Sequence, residues 1–396
     1  MRRLLPLLLA GCMAADAGGL DGVSGPGAGI PATPFGRVPT SEIDWIVQGD
    51  GVYTVNGRTT NTSITASGTV AQADGLISAN SGAATSSGAE FSSRRVMRYR
   101  TGQGALALFT AVAPTCVEGN ESLVGIGGDE NGLFFGCNGS SWGVLRRTDS
   151  SDNWTAQASW NGAVPAGYDP TKGNIYRIRF QWLGFGQIEF GMEDAATGMF
   201  STVHAIRYAN TSTAVHIRQP SMPFALRSTN STNATNVTIK TASYALGLEG
   251  PNELLGPTLS LENGKAVNST LTNILTLRAK TSYGGINSQV PLNITDISFG
   301  YDGTKTGSVH LYRGATLGGS PSYTDVGADS AADYDVAGTT STNGDLLYSR
   351  SLTKTDGGEH SFERLILYPG ETMTLAAHTS SGTADVEMSV TWVEEQ

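Results

Sequence analysis

The sequence predicts an all-β chain: two β-sandwich domains preceded by an extended N-terminal arm. Three observations carry this. Only 15% of the 396 residues are charged, glycine reaches 51, and Ser and Thr abound, which is the composition of many short strands joined by tight turns. Several segments alternate apolar and polar residues with a period of two. No stretch carries the apolar stripe of an amphipathic helix.

From the start, residues 1–40 are rich in Gly, Ala and Pro and follow neither period, so they read as an arm that needs a surface to lie on. Its tip, "MRRLLPLLLAGC", admits two readings. Arg2 and Arg3, the apolar run Leu4 to Ala10 and the box Leu9-Ala10-Gly11-Cys12 match a bacterial lipoprotein signal cut before Cys12. The run is short and contains Pro6, which sits at the lower limit for such a signal. The expectation taken forward is a retained arm. Leu4, Leu5, Leu7, Leu8 and Leu9 then form an adhesive assembly tip, since burying each leucine is worth roughly 1.5–3 kcal/mol. The run is too short to span a bilayer.

Residues 41–250 read as a first sandwich. "GALALFTAVA" is apolar on both faces, as a central strand should be. "NIYRIRFQW" turns Tyr176, Ile178, Phe180 and Trp182 one way and Arg177, Arg179 and Gln181 the other. "GQIEFGM" repeats the pattern with Ile188, Phe190 and Met192, and Leu183-Gly184-Phe185-Gly186 supplies the hairpin turn between them. The Gly/Pro break "LEGPNELLGP" at 248–257 marks a boundary, and residues 257–396 read as a second sandwich. It closes on "ADVEMSVTW", with Ala384, Val386, Met388, Val390 and Trp392 on one face; a strand so regular is expected inside a sheet.

The net charge of −10 argues against nucleic acid as a partner. The basic run Arg94, Arg95, Arg98 and Arg100 reads as a strand with one solvated face. Cys116 and Cys137 either pair across a hairpin or stand as two reduced thiols. Ten Asn-x-Ser/Thr triplets read as composition in so Ser/Thr-rich a chain.

Candidate chemistry is sparse. "EIDWIV" approaches the Glu-x-Asp-x-x-Glu strand of retaining jelly-roll glycosidases, but Val47 stands where the proton-donating carboxylate belongs. "GSSWG", 139–143, fits the serine-hydrolase elbow formally, yet strand-like flanks make it a hairpin turn. His204, His216, His310, His360 and His378 lack the spacing of a zinc helix, so no metal and no cofactor is expected. Trp142, Trp154, Trp160 and Tyr168 cluster with Asn and Asp. They are candidates to grip a glycan, the alternative being that they pack the sandwich.

The stretches "SSRRVMRYRTGQGALALFTA", "ENGLFFGCNGSSWGVLRR", "YRIRFQWLGFGQIEFGMED", "LYRGATLGGSPSYTDVGADSAADYDV" and "LYPGETMTLAAHTSSGTADVEMSVTWVEE" resemble virion surface proteins of tailed phages, of the fibre, spike and decoration kind. The resemblance covers much of residues 90–396 and implies concanavalin-like or jelly-roll sandwiches. It brings no catalytic residues. It implies a non-enzymatic structural protein on the virion surface, assembled with itself as a homotrimer and with other virion proteins, and contacting host surface polysaccharide. The rival expectation is a lectin-type lipoprotein held in the bacterial outer membrane through Cys12. A jelly-roll glycan hydrolase is the third.

Overall fold

In the computed structural model, residues 42–251, 253 and 256–395 are described; the arm, with Leu4, Leu5, Leu7, Leu8, Leu9 and Cys12, lies outside the described residues. The chain is all-β, with no α-helix among those residues. It divides into two compact units, 1–252 and 253–396, each built on packed antiparallel sheets.

The first unit has a six-stranded sheet in the order Ile43–Asp50, Ser243–Glu249, Ala105–Ala111, Asn174–Phe180, Ile188–Glu193, Phe200–Ile206. Opposite it stands a seven-stranded sheet: Ser151–Ala156, Ser141–Thr148, Gly132–Asn138, Asn120–Gly127, Phe224–Asn230, Gly88–Ser93, Thr60–Thr65. Thr238–Thr241, Leu76–Asn80 and Thr69–Ala73 form a small third sheet. The alternation of Asn174–Phe180 explains its place. Tyr176, Ile178 and Phe180 are fully buried and meet Phe109, Phe135 and Phe224 in one core between the two large sheets, while Arg177 and Arg179 face away. Each such burial contributes roughly 1.5–3 kcal/mol. Ala105–Ala111 is indeed internal, paired on both sides, with Ala105, Ala107, Phe109 and Ala111 inward. A disulfide joins Cys116, in the loop before Asn120–Gly127, to Cys137 in Gly132–Asn138.

The basic run departs from expectation. The strand Gly88–Ser93 ends before Arg94, and the stretch that follows is tied to its neighbours by the Arg94 N–H to the Thr59 carbonyl and by an isolated bridge, Met97 to Met222, instead of by a continuous ladder.

The second unit pairs a four-stranded sheet (Thr258–Val267, Ala384–Glu394, Leu292–Gly303, Asp356–Leu367) with a six-stranded one (Thr324–Asp325, Ala332–Asp335, Thr272–Ala279, Thr372–Thr379, Gly307–Arg313, Asp345–Leu352). The closing strand is paired on both sides, and Ala384, Val386, Met388, Val390 and Trp392 all point into the core. Glu394 is buried beyond them and accepts hydrogen bonds from Ser330 Oγ (2.5 Å), the Ala331 N–H (2.7 Å) and Trp392 Nε1 (3.0 Å).

Candidate functional site

The four aromatic residues singled out from the sequence do not form one exposed platform. Trp142 is only 8% exposed and belongs to the main core beside Tyr176. Its indole N–H lies near the Tyr168 hydroxyl but makes no regular hydrogen bond. Tyr168 is half-buried, with its hydroxyl 3.0 Å from that of Tyr176, and burial pushes both phenols up. Trp160 stands edge-on to Phe135 and donates from Nε1 to the Thr155 carbonyl at 3.2 Å. Trp154 lies on the opposite face of the seven-stranded sheet, against Leu123, Phe134, Leu145 and Ala225. The reason is the two-residue turn Gly139-Ser140, with Gly139 at φ +58°. It folds Ser141–Thr148 directly back on Gly132–Asn138 and so turns Trp142 inward.

A different surface gathers aromatic, charged and amide groups: the face of the six-stranded sheet that points away from the core. One ladder row crosses five strands as Trp45, Gly247, Leu106, Arg179 and Glu189. The next crosses six as Gln48, Ala245, Leu108, Arg177, Gly191 and Thr202. Trp45, Leu106, Leu108, Arg177 and Arg179 are all partly exposed. In Ile43–Asp50 a bulge between Trp45 and Val47 buries both Ile46 and Val47 and leaves Trp45 on this outer face.

Three glycines make shelves on this face. A Cβ at Gly247 would stand 3.0 Å from Trp45 Cε3, so the indole lies across that position. One at Gly191 would stand 3.3 Å from Arg177 Nε, and one at Gly104 would strike the Glu249 carboxylate. Large side chains thus lie along the sheet instead of standing up from it.

The electrostatics centre on Glu189, 3% exposed. It accepts a very short hydrogen bond from Arg179 Nε, one of 2.7 Å from Gln187 Nε2 and one of 3.4 Å from Thr202 Oγ1. A buried carboxylate needs such partners; removing one member of a buried ion pair typically costs about 3–5 kcal/mol. Burial raises the Glu249 carboxyl above its ordinary range, with Arg179 acting in the opposite direction. Burial, and then the charge of Arg179, lowers the Arg177 guanidinium to about 10, leaving it protonated at neutral pH. The arrangement offers a flat apolar surface at Trp45 and Leu106 beside donors and acceptors fixed by the sheet, which is suited to the faces and hydroxyl groups of a sugar chain.

Of the other sequence motifs, "EIDWIV" reaches this face through Trp45, without the carboxylate pair of a glycosidase. Glu42 precedes the edge strand Ile43–Asp50, not a central one. The five histidines form no metal cluster among the described residues, where no group of three ligating side chains occurs. No helix there is long and apolar enough to cross a membrane.

No family model matches the chain, and no curated protein matches it in sequence. Among solved structures it is similar to the CBM2 module of an evolved Dit protein of Lactobacillus casei BL23 phage J-1, at 12% identity, 54% of this chain, 99% of that one and a TM-score of 0.37. It is also similar to a glycosyl hydrolase family protein from Mycobacterium fortuitum (11% identity, 51% and 99% covered, TM-score 0.36) and to an apo transglycosylase (13%, 51% and 83%, TM-score 0.36). The expectation that the chain is not an enzyme is corrected here: glycan-active enzymes stand among these neighbours, and the exclusion is withdrawn.

Proposed function

We propose that the chain is a virion surface protein of the tailed-phage fibre, spike or decoration kind, and that it holds host surface glycan on the outer face of its six-stranded sheet. The sequence resemblance supports the virion assignment, and with it a homotrimer seated on other virion proteins through the leucine-rich arm. One observation carries the glycan assignment: Trp45 lies along the sheet over Gly247, in one row with Leu106 and the hydrogen-bonded Arg179–Glu189 pair. An aromatic plane beside fixed polar groups is the means by which a protein holds a sugar ring without enclosing it.

The test is cosedimentation of the full chain with host surface polysaccharide. Trp45→Ala should abolish retention and leave the melting temperature nearly unchanged, because Trp45 is partly exposed and outside the core. Retention equal to that of the wild type overturns the glycan assignment. Size analysis of the polysaccharide after incubation shows in the same experiment whether it is also cut. Mass spectrometry of the native N-terminus separates the virion reading from a lipoprotein modified at Cys12.

A further inference from the structure

We propose that this face recognises an acidic glycan, with the anionic group of one sugar seated on Arg177. The proposal rests on the reading of the face as a glycan site and names the class of sugar it takes.

Arg177 is a charge without an answer. Its neighbour Arg179 is paired with Glu189, whereas Arg177 makes no hydrogen bond and no ion pair among the described residues, and its Nε is buried with no partner. Its guanidinium is held in place by apolar means: the Phe200 ring lies 5.0 Å from Cζ, and Gly191 leaves the space across which the head lies. The neighbouring charges are Arg179, which opposes its own, and Glu189, which is already engaged by Arg179, Gln187 and Thr202. A guanidinium fixed in orientation, largely dehydrated and lacking a counter-charge is a preformed seat for an oxyanion, and Arg suits a carboxylate or phosphate better than Lys does.

The spacing fits a chain of sugars. Trp45 and Arg177 lie on strands separated by two others and in neighbouring ladder rows, so three strand spacings across and a two-residue step along put them about 16 Å apart. Trp45 would stack on one ring while Arg177 meets the acid group of another further along, with Leu106 and Leu108 beneath the chain between them.

The test is a calorimetric panel on the full chain: a uronate oligosaccharide, its methyl ester, a sialylated oligosaccharide, a phosphate-bearing glycopolymer and a neutral glucan. At least one acidic member should bind tenfold or more tightly than its neutralised or neutral counterpart, and increasingly weakly as salt rises. The panel separates carboxylate from phosphate as the source of charge. Arg177→Gln should remove that preference and leave residual binding to the neutral glucan; Arg177→Lys should restore part of it. Melting curves of both variants should overlay the wild type. Equal affinity for acidic and neutral members, or a preference that survives Arg177→Gln, overturns the proposal and leaves the glycan reading standing if Trp45→Ala still abolishes binding. Binding to no member of the panel overturns the acidic-glycan proposal, and the glycan reading falls with it if host surface polysaccharide is not retained either.

Discussion

Acidification should loosen the first unit through His216, and the size of the effect follows from where that ring sits. His216 is fully buried, neither ring nitrogen has a hydrogen-bond partner, and Tyr208 stands edge-on to it at 5.6 Å. The Trp182 carbonyl is near enough to favour a proton but lies outside hydrogen-bonding geometry. Burial first, and the Arg146 charge second, lower its pKa from 6.5 to about 4. A histidine lowered in this way is protonated more readily when unfolded. Its contribution is therefore neutral above pH 6.5, and stability is lost progressively as pH falls from 6.5 to about 4. The full difference between the two pKa values is worth about 3 kcal/mol, of which about 2 kcal/mol has gone by pH 5. In a unit of this size that corresponds to about 4–8 °C in melting temperature. His204 and His310 are also lowered by burial and act with the same sign, so the wild-type curve alone does not isolate His216. The comparison is with His216→Phe, which keeps a ring in place along with the backbone bonds to Gly184 and Arg146. Urea denaturation followed by tryptophan fluorescence at pH 7 and pH 5 should show the stability gap between variant and wild type moving by about 2 kcal/mol in favour of the variant at pH 5. An identical pH dependence in the two proteins would refute the reasoning.

Two further outcomes are expected. Replacing Cys116 and Cys137 together by Ser opens a loop defined by a sequence separation of 21, and loop entropy puts the loss at about 3 kcal/mol, read as a lower urea midpoint with an unchanged native spectrum. Residues 257–396 expressed alone should give a soluble β-rich fragment with a cooperative melt, because the core around Trp392 is assembled from their own strands; a fragment that folds only when 41–250 are added would show that this core does not suffice.

Much of the outer face of the six-stranded sheet was legible as alternation. The pattern of Asn174–Phe180 puts Arg177 and Arg179 on the side opposite Tyr176 and Phe180, and that of Ile188–Glu193 puts Glu189 and Gly191 on one side. Local pattern does not supply strand partners. Trp45 meets Gly247 through a pairing that spans some two hundred residues of chain, and nothing within either segment announces the other. The inward turn of Trp142 depends likewise on a hairpin of only two residues, whose register decides which side of the sheet every later side chain occupies. Composition near Trp142, Trp154, Trp160 and Tyr168 described a neighbourhood in the chain, while the sheet distributed those residues to two faces and a loop.

The three glycine shelves set how mutation can reshape the surface. At Gly104 an added methyl meets only the carboxylate of Glu249, which is flexible and can swing aside. At Gly191 it would come within 3.1 Å of the Ser201 carbonyl and 3.3 Å of Arg177 Nε, enough to lift the guanidinium slightly while the sheet persists. At Gly247 it would lie 2.6 Å from the Asp44 carbonyl, and backbone does not yield, so the edge strand carrying Trp45 would have to move. The face is adjustable at its charged end and locked at its aromatic end. Lineages descending from this sequence should vary the seat of the Arg177 guanidinium far more freely than they fill the shelf at Gly247 beneath the Trp45 ring.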